Sequence, residues 1–558
     1  MARRIRWQLL IAAISSLIVL GLMSSLAVTL ASVAEPLRGG GYIEASTTAP
    51  QQLNPLVADL LHDPGAADIQ ALIFDGLTST GSDGFPAPAL AQSWEIDPSG
   101  TIYTFTLRSD ISWHDGTPLT MADVLFTLRA VSGPAFAGDQ RVAAVWRNVF
   151  IEEVDARTLR CRLEAPYAAF LRVTNFPILP AHRLAELSPT EWAIDSFNRM
   201  PIGTGPYQLQ ELNDERALLT ANPNYRSGRP FLDSIELRYF PNSQAILTAL
   251  TRDEIMGTGF LSTSSLAQIN PPRGFTRRAV PIDTYTTLTF NLRSSPLSDI
   301  DLRRALALAL DKDLLIERAL GGQAARIDTP ILPGWWASTP IVLWPEADSE
   351  QAIALLTALG YQPGDDGILL RDEAPLQLTI LHDNQPERVA VAQEIARQWQ
   401  EIGITTATEE LDSDTLQQRL ADHSFSVAIH GWQRLGADPD VFELWHSSQR
   451  DEGLNYAGLD DAEIDELLAR ARQTSDIEVR IAAYIEFQRR WVELVPSIPL
   501  YQPLFIYLTS DQLGGIDTLA EQDIPLFGPQ LQIGREGRFT GVSRWFLSSS
   551  REIRGNLR

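Results

Sequence analysis

One long uncharged apolar segment near the N-terminus limits the folds that this chain can adopt. It runs from Trp7 to Ala34, follows three arginines among the first six residues, and ends before Glu35, the first acidic residue. Basic residues ahead of an apolar segment are typical of a secretory signal or a membrane anchor whose basic end stays in the cytoplasm. The 558 residues contain no second stretch of this kind. We therefore expect the rest of the chain to work outside the cytoplasm and not to form a channel.

The same segment permits two interpretations of the N-terminus. Residues 9–34 exceed the roughly 20 apolar residues that span a hydrocarbon core, which favours an anchor in the cytoplasmic membrane. Ser32-Val33-Ala34 also suits a signal peptidase, in which case residues 1–34 are a cleaved signal peptide. Both alternatives remain open on the sequence alone. Residues 35–41, rich in glycine, are predicted to be a short flexible tether.

Composition excludes several classes of protein. With 44% hydrophobic residues, the chain can bury a large core. Its formal net charge of −25 argues against general nucleic-acid binding. Cys161 is the only cysteine, so an internal disulfide and a two-cysteine metal or redox site are excluded, and we expect this residue to be buried.

Hydrophobic periodicity predicts a mixture of helices and strands. Turn residues over 94–100, followed by alternation from Tyr103 to Leu107, predict a hairpin. Apolar residues at helical spacing predict one helix from Asp301 to Leu320 and another over 464–471, and a capping box at Ser475 opens a third helix. Because these elements alternate irregularly, the pattern indicates an α/β or α+β fold.

Motifs for covalent chemistry are not found in the sequence. There is no phosphate-binding P-loop, no His-Glu-x-x-His and no Gly-x-Ser-x-Gly. We therefore expect no catalytic residues, no dedicated metal site and no cofactor. His114-Asp115-Gly116 is better interpreted as a turn than as a catalytic pair, and Asp438-Pro439-Asp440 as a turn rather than a cation site.

An ordered series of short motifs resembles a known family. In chain order they are Ala91-Gln92-Ser93-Trp94, Trp113-His114-Asp115-Gly116-Thr117-Pro118, Pro201 to Tyr207, Asn222 to Tyr225, Leu302-Arg303-Arg304-Ala305-Leu306, Gly431-Trp432 and Pro496 to Tyr501. The series resembles the family 5 extracellular solute-binding proteins, the dipeptide, oligopeptide and nickel receptors of bacterial ABC importers. The resemblance extends over about residues 42 to 512.

This resemblance implies an α/β fold of the class II periplasmic-binding-protein type, in which two lobes are joined by a hinge and an extra domain enlarges the first lobe. Lobe I is then expected over residues 42–82, 200–285 and 505–540, and the extra domain over 83–199. Lobe II is expected over residues 286–504, and a C-terminal tail over 541–558. A ligand that contacts both lobes selects the closed form.

The function that the resemblance implies is capture of a peptide or peptide-like solute and its delivery to an ABC permease and its ATPase. A ligand sensor without transport, and a receptor for a nickel chelate or a sugar, are the alternatives. The expected partners are the peptide or small solute, the permease with its ATPase and, through the N-terminal segment, the membrane, but no nucleic acid. We expect a monomer in the periplasm or at the cell surface.

Gly431-Trp432 marks the first candidate ligand-binding residues. In the peptide-binding relatives, this tryptophan supplies an aromatic wall, and an aspartate three positions later pairs with the ammonium group of the peptide. Leu435 occupies that position here. Asp438 is the candidate substitute for the missing carboxylate. Trp432 is expected to stack on the ligand, with packing between the lobes as the alternative.

Three further residues complete the predicted site region. Arg434 is a candidate partner for a ligand carboxylate, with an exposed loop arginine as the alternative. Tyr285 is expected to line the cleft. His430, beside Gly431, is the candidate histidine ligand for a metal, although a buried structural histidine is the preferred interpretation.

Overall fold

The computed structural model describes residues 32–58, 63–81, 85–259, 261, 271–282, 284–333, 335–341, 344–433, 438–516, 538–539 and 541–553. Almost all of the predicted signal or anchor lies outside these residues, and so do Arg434 and Leu435. Within the described part, no helix has both the length and the apolar character needed to cross a membrane.

The described residues contain both strands and helices in irregular alternation. The strands are β1 (Ser32–Leu37), β2 (Gly41–Ser46), β3 (Thr78–Thr80), β4 (Pro86–Pro88), β5 (Ala91–Ile96), β6 (Ile102–Leu107), β7 (Val149–Asp155), β8 (Thr158–Leu163), β9 (Tyr207–Leu212), β10 (Arg216–Ala221), β11 (Ser234–Tyr239), β12 (Gly257–Thr258), β13 (Phe275–Pro281), β14 (Thr284–Phe290), β15 (Ala324–Arg326), β16 (Gln362–Pro363), β17 (Leu369–Arg371), β18 (Ala374–Pro375), β19 (Gln377–Asp383), β20 (Thr405–Leu411), β21 (Val427–Gln433), β22 (Ser497–Ser510) and β23 (Ser548–Ile553). The α-helices span Pro64–Ile73, Met121–Ser132, Gln140–Trp146, Ala181–Leu184, Pro189–Trp192, Ser243–Thr251, Ile300–Leu308, Lys312–Leu320, Ser349–Ala358, Pro386–Glu401, Ser413–Ala421, Phe442–Trp445, Ala462–Gln473 and Ile477–Leu494. Shorter 3₁₀ helices span Ala168–Val173, Ser196–Asn198, Ser447–Gln449 and Val542–Arg544.

Twelve of these strands form one mixed sheet in the part of the chain that the structure describes. Its strand order is β20-β19-β21-β14-β22-β12-β2-β11-β10-β9, and β13 and β15 also pair with β22. The long strand β22 holds the sheet together, because its first half pairs with β14 and β15 while its second half pairs with β12 and β13.

Two large hydrophobic cores lie along this sheet. The first core collects buried side chains from Tyr42 to Leu237 and from Phe505 to Trp545. The second core collects buried side chains from Tyr285 to Tyr501. The chain passes between the cores twice, from β13 to β14 and within β22. At these crossings the Gln502 side chain donates a hydrogen bond of 2.6 Å to the carbonyl of Ile282, which ties one crossing to the other.

The hairpin predicted after residue 94 is confirmed. Strands β5 and β6 pair antiparallel, and with β8 and β7 they form a separate four-stranded sheet. The side chains of Tyr103, Phe105 and Leu107 are buried in the first core, as the alternation predicted, and Cys161 is buried beside them on β8.

The turn at His114-Asp115-Gly116 is also confirmed. Gly116 has a φ of +88°, which favours glycine, and the amide of Trp113 donates to the carbonyl of Thr117 over 2.8 Å. His114 is engaged with the backbone of another motif. Its ring contacts Gly203 and Gly205 through Nδ1 at 3.3 Å and Nε2 at 3.1 Å. The histidine therefore joins two turns of the first core.

Aspartate residues begin many of the described helices. The side-chain carboxylate of the N-cap residue accepts a backbone N–H bond, which satisfies a donor that the helix itself cannot pair. The residues in this role are Asp63, Asp139, Asp299, Asp311, Asp348, Asp412, Asp461 and Asp476. Part of the acidic excess of the chain therefore serves to start helices.

Two of the three helices predicted in the C-terminal half of the chain are confirmed. The helix Ala462–Gln473 buries the face that contains Ile464, Leu467, Leu468 and Ala471. The following helix spans Ile477–Leu494, and its N-cap is Asp476 rather than the predicted Ser475, because the Asp476 carboxylate accepts the first free backbone N–H groups.

The single helix predicted from Asp301 to Leu320 is wrong. The structure has two helices there, Ile300–Leu308 and Lys312–Leu320, and Asp311 caps the second. The buried side chain of Gln398 accepts a bond from the Asp311 amide at 2.7 Å and donates one to the Asp311 carbonyl at 3.2 Å. A side chain from another helix thus satisfies the backbone at the break.

The predictions for both chain ends also differ from the structure. Residues 35–37, expected in a flexible tether, belong to strand β1, and residues 548–553, expected in a C-terminal tail, form β23. These strands pair antiparallel, with Ser32 opposite Ile553. The residues that looked unstructured in sequence satisfy each other's backbone hydrogen bonds, a partnership that no local pattern reveals.

Candidate ligand-binding site

The structure brings together two of the predicted site residues. Tyr285 is the second residue of β14 and Trp432 lies near the end of β21, and the two residues are direct partners in the antiparallel register. Directly opposed residues project from the same face of a sheet. Tyr285 is 2% exposed, so it is a buried residue, whereas Trp432 is partly exposed.

Trp432 lies in an aromatic cluster. Its ring stacks on Tyr456 with a centroid separation of 5.3 Å and an interplanar angle of 18°, and it meets His430 edge-on at 5.0 Å. Its indole Nε1 is buried and has no hydrogen-bond partner among the described residues. The cluster holds the indole in place beside the chain crossings, and the stacking of Trp432 on a ligand stays a prediction.

His430 has the environment of a structural histidine. It is 1% exposed, and its Nε2 lies 2.8 Å from the hydroxyl of Thr289 on the neighbouring strand. Burial, with the nearby positive charge of Arg388, lowers the pKa of His430 to about 3. The ring is therefore neutral at physiological pH. Among the described residues, no three His, Cys, Asp or Glu side chains are placed to share a metal ion.

The carboxylate of Asp438 is engaged by an arginine. It accepts a hydrogen bond of 2.7 Å from Nη2 of Arg480, and both side chains are largely buried. The guanidinium of Arg480 lies over the ring of Trp336 at 4.8 Å. Because Arg480 already compensates its charge, Asp438 differs from the free carboxylate that the sequence suggested as a clamp for a ligand ammonium group.

Asp440 joins residues from the two cores. It is also engaged by arginine, as its Oδ2 accepts a bond of 2.8 Å from Arg472 and lies 3.9 Å from Arg172. Burial opposes ionisation of Asp440, but these two guanidinium groups hold its pKa below the usual value. Arg172 belongs to the 3₁₀ helix Ala168–Val173, whose Phe170 and Val173 pack in the first core, whereas the neighbours of Asp440 pack in the second. Both carboxylates of Asp438-Pro439-Asp440 are thus paired with arginines.

A cavity of about 190 Å³ lies between the two cores beside these charges. We call it the intercore cavity. Phe85, Leu171 and Arg172 line one side, and Trp336, Asp438 and Arg480 line the other. Phe85 stacks on Trp336 with a centroid separation of 6.1 Å and an interplanar angle of 20°. The two halves of the molecule therefore meet around a partly open space that a small molecule or a side chain can fill.

Sequence reasoning missed Arg388, a cation close to the predicted tryptophan. Arg388 follows the end of β19 and pairs with the buried carboxylate of Asp383. A Cβ atom added to Gly431 would lie 2.7 Å from Nη2 of Arg388, so the glycine allows the guanidinium to approach the strand. An arginine in the first turn of a helix that follows a buried strand was the only signal in the sequence, and it is a weak one.

Comparisons with known proteins identify the family. A family model described as "Bacterial extracellular solute-binding proteins, family 5 Middle" matches residues 86–453. The chain belongs to this family. It is 26% identical over 485 residues to the oligopeptide-binding protein AppA of Bacillus subtilis, a match that covers 85% of this chain and 88% of AppA. The membership places its work outside the cytoplasm, as expected.

Solved structures of family 5 proteins share the fold. AppA of Bacillus subtilis in complex with a nonapeptide has a TM-score of 0.69 and 23% identity, and the match covers 92% of this chain and all of AppA. NikZ of Campylobacter jejuni in complex with Ni(L-His) also has a TM-score of 0.69, with 25% identity and coverage of 91% and 99%. The predicted two-lobed α/β fold of this family 5 protein is confirmed.

Proposed function

We propose that this family 5 protein is the extracytoplasmic receptor of an ABC importer and captures a peptide or peptide-like solute between its two lobes. The lobes correspond to the two cores, and the two chain crossings near Ile282 and Gln502 act as the hinge. The protein acts as a monomer and by binding alone, without covalent chemistry. Its partners are an integral permease and the cytoplasmic ATPase that drives it.

The intercore cavity is the observation that carries this proposal. Side chains from both cores line it, so a ligand in the cavity contacts both halves at once. Such a ligand stabilises the closed arrangement in proportion to its difference in affinity for the closed and open forms. Similarity to AppA and to other peptide-binding relatives supports a peptide as the ligand.

Thermal unfolding of the full chain in a mild detergent tests the ligand class. The panel contains dipeptides to decapeptides, N-acetylated copies of each, a nickel–histidine chelate and small sugars. A ligand at 100 times its Kd stabilises the folded state by about 2.7 kcal/mol, which is a readily measured shift. We expect at least one length of peptide to raise the unfolding temperature. Stabilisation by the nickel chelate or a sugar, with no effect of any peptide, would contradict the peptide assignment.

Uptake distinguishes a transport receptor from a sensor. Cells that lack this protein should lose uptake of the stabilising peptide and regain it when the protein is restored. A sensor without transport would leave uptake unchanged. The variant Trp432→Ala in the restored protein should weaken binding of the same peptide, whereas Phe150→Ala, which changes an exposed side chain on β7, serves as the matched control.

We also propose that the N-terminal segment is retained as a membrane anchor. Cleavage after Ala34 would remove the first half of β1, whose backbone partners are residues 551–553 of β23. Retention keeps the whole strand pair. The intact mass of the protein isolated from the membrane fraction tests this: the anchor requires the uncleaved chain, and a chain that begins at Glu35 would overturn it.

A further inference from the structure

Arg172 occupies an unusual position in the wall of the intercore cavity. Its side chain is only 6% exposed, yet its Nε has no hydrogen-bond partner among the described residues. The carboxylate oxygens of Glu443 and Asp440 lie 3.5 and 3.9 Å from its Nη atoms, which is ion-pair range but longer than a good hydrogen bond. A guanidinium offers five donors, and leaving them unsatisfied in a buried position is costly.

The charges around the cavity favour an anion. Arg172 and Arg480 line the cavity, Arg472 donates to Asp440 beside it, and the three side chains are at most 20% exposed. The buried carboxylates that face them are Asp438 and Asp440, at 13% and 1% exposure. A third carboxylate, Glu443, is 43% exposed, and water screens its charge. Among the described residues, three largely buried guanidinium groups therefore face two buried carboxylates and one partly exposed carboxylate.

Apolar side chains form one part of the wall, where Phe85 and Trp336 make a stacked pair beside Ile96, Leu171 and Ile477. The uncharged polar residues of the lining are Thr78, Ser79, Thr80, Asn175 and Ser475. A cavity of about 190 Å³ with walls of this kind has room for an aromatic ring or a large aliphatic side chain. The cavity thus combines an apolar surface, uncharged polar side chains and one cation, Arg172, whose Nε has no hydrogen-bond partner among the described residues.

We propose that the intercore cavity binds the carboxylate end of an apolar or aromatic solute, with Arg172 as the donor to the carboxylate. The inference rests on the proposed function and specifies the part of the ligand that enters the cavity. Asp438 then serves to hold Arg480 against Trp336 rather than to bind a ligand ammonium group. Closure over the solute places its carboxylate beside Arg172, where it supplies the missing negative charge.

A pair of probes that differ only in one charge tests this inference. N-acetyl-phenylalanine and N-acetyl-phenylalanine amide have the same shape, and neither has an amine. We expect the full-length protein to bind the acid about 10- to 100-fold more tightly than the amide, as measured by calorimetry. In Arg172→Gln, the ratio should fall to within about twofold, and Arg172→Lys should restore part of it because the charge returns without the planar fork.

Glu443→Gln provides the matched comparison. If Arg172 only pairs with Glu443 across the cores, both substitutions should alter binding of acid and amide alike. If Arg172 binds the solute carboxylate, Glu443→Gln should preserve or raise the preference for the acid, because it removes a competing carboxylate. Unfolding without ligand establishes that each variant is folded.

The outcomes separate this inference from the proposed function. Peptides that stabilise the protein while acid and amide bind equally, or while the preference survives in Arg172→Gln, would overturn the inference and leave the receptor role intact. Failure of N-acetyl-phenylalanine to bind also counts against it. If no solute of the peptide panel binds either, the proposed function itself fails.

Discussion

At the scale of single residues, His114 shows how one side chain can hold two distant motifs together. Its ring lies against the backbone of Gly203 and Gly205, which are 89 and 91 positions further along the chain. Burial lowers the pKa of His114 to about 4. The ring therefore stays neutral in the folded protein at pH values where an unfolded histidine is protonated.

This depressed pKa predicts a loss of stability in weak acid. Between about pH 6.5 and pH 4, the unfolded chain binds a proton at His114 that the folded chain does not, so the free energy of unfolding falls as the pH falls. The contribution of His114 between pH 7 and pH 5 is about 2 kcal/mol. His114→Asn should remove this contribution, as measured by urea unfolding at both pH values.

His430 provides the internal control. Its pKa is also lowered by burial, to about 3, so its own pH-dependent contribution should persist in His114→Asn. An unchanged pH dependence in the variant would show that His114 is not neutral in the folded state at pH 5.

At the scale of secondary-structure elements, the break between the helices Ile300–Leu308 and Lys312–Leu320 is the most informative difference from the prediction. Ala309 and Leu310 continue the apolar spacing, so periodicity alone favours one continuous helix. Asp311 instead starts a new helix, and its backbone bonds are completed by Gln398. The aspartate was a visible cap signal, but its glutamine partner lies 87 residues away.

Removing this cap should weaken the second helix. In Asp311→Ala, the amide of Leu314 loses its acceptor, which lies at 2.8 Å. We expect the free energy of unfolding to fall by about 1 kcal/mol. Glu317→Ala changes an exposed residue in the same helix and should cost less than about 0.5 kcal/mol. Equal effects of the two substitutions in urea unfolding would argue against the cap.

At the scale of the whole molecule, charge pairs join segments that are remote in sequence. Arg538 is fully buried and pairs with both Glu44 and Asp68, so the residues near the C-terminus are held in the first core. Asp440 plays a comparable part between the cores, where Arg472 and Arg172 share its carboxylate.

Loss of the Asp440 charge should destabilise the contact between the cores. Asp440→Asn leaves two largely buried guanidinium groups with only the partly exposed Glu443 as a carboxylate partner, and we expect the free energy of unfolding to fall by about 3 kcal/mol. Asp451→Asn is the control, because Asp451 is 70% exposed and its ion pair with Arg293 should contribute less than about 1 kcal/mol. The urea-unfolding midpoints of the two variants provide the measurement. A similar small shift in both would mean that water already screens Asp440.

The sequence alone determined the family, the two-lobed fold and the elements with strong local patterns, such as the hairpin after residue 94 and the helix over 462–473. Ordered motifs and hydrophobic periodicity are local properties, so they can be recognised without contacts. It also predicted Tyr285 and Trp432 as ligand-binding residues, and the strand register places these two residues opposite each other.

Only the tertiary structure decided the partners of the polar residues. The sequence suggests Asp438 as a free carboxylate, but Arg480, 42 residues away, compensates its charge. No local sequence pattern marked Arg172. Its proposed role follows from its position in the wall of the intercore cavity, close to carboxylates of the second core. The pairing of β1 with β23 joins the two ends of the chain. Such contacts depend on which groups, distant in sequence, are buried together in the folded protein. The spacing of residues along the chain does not reveal this.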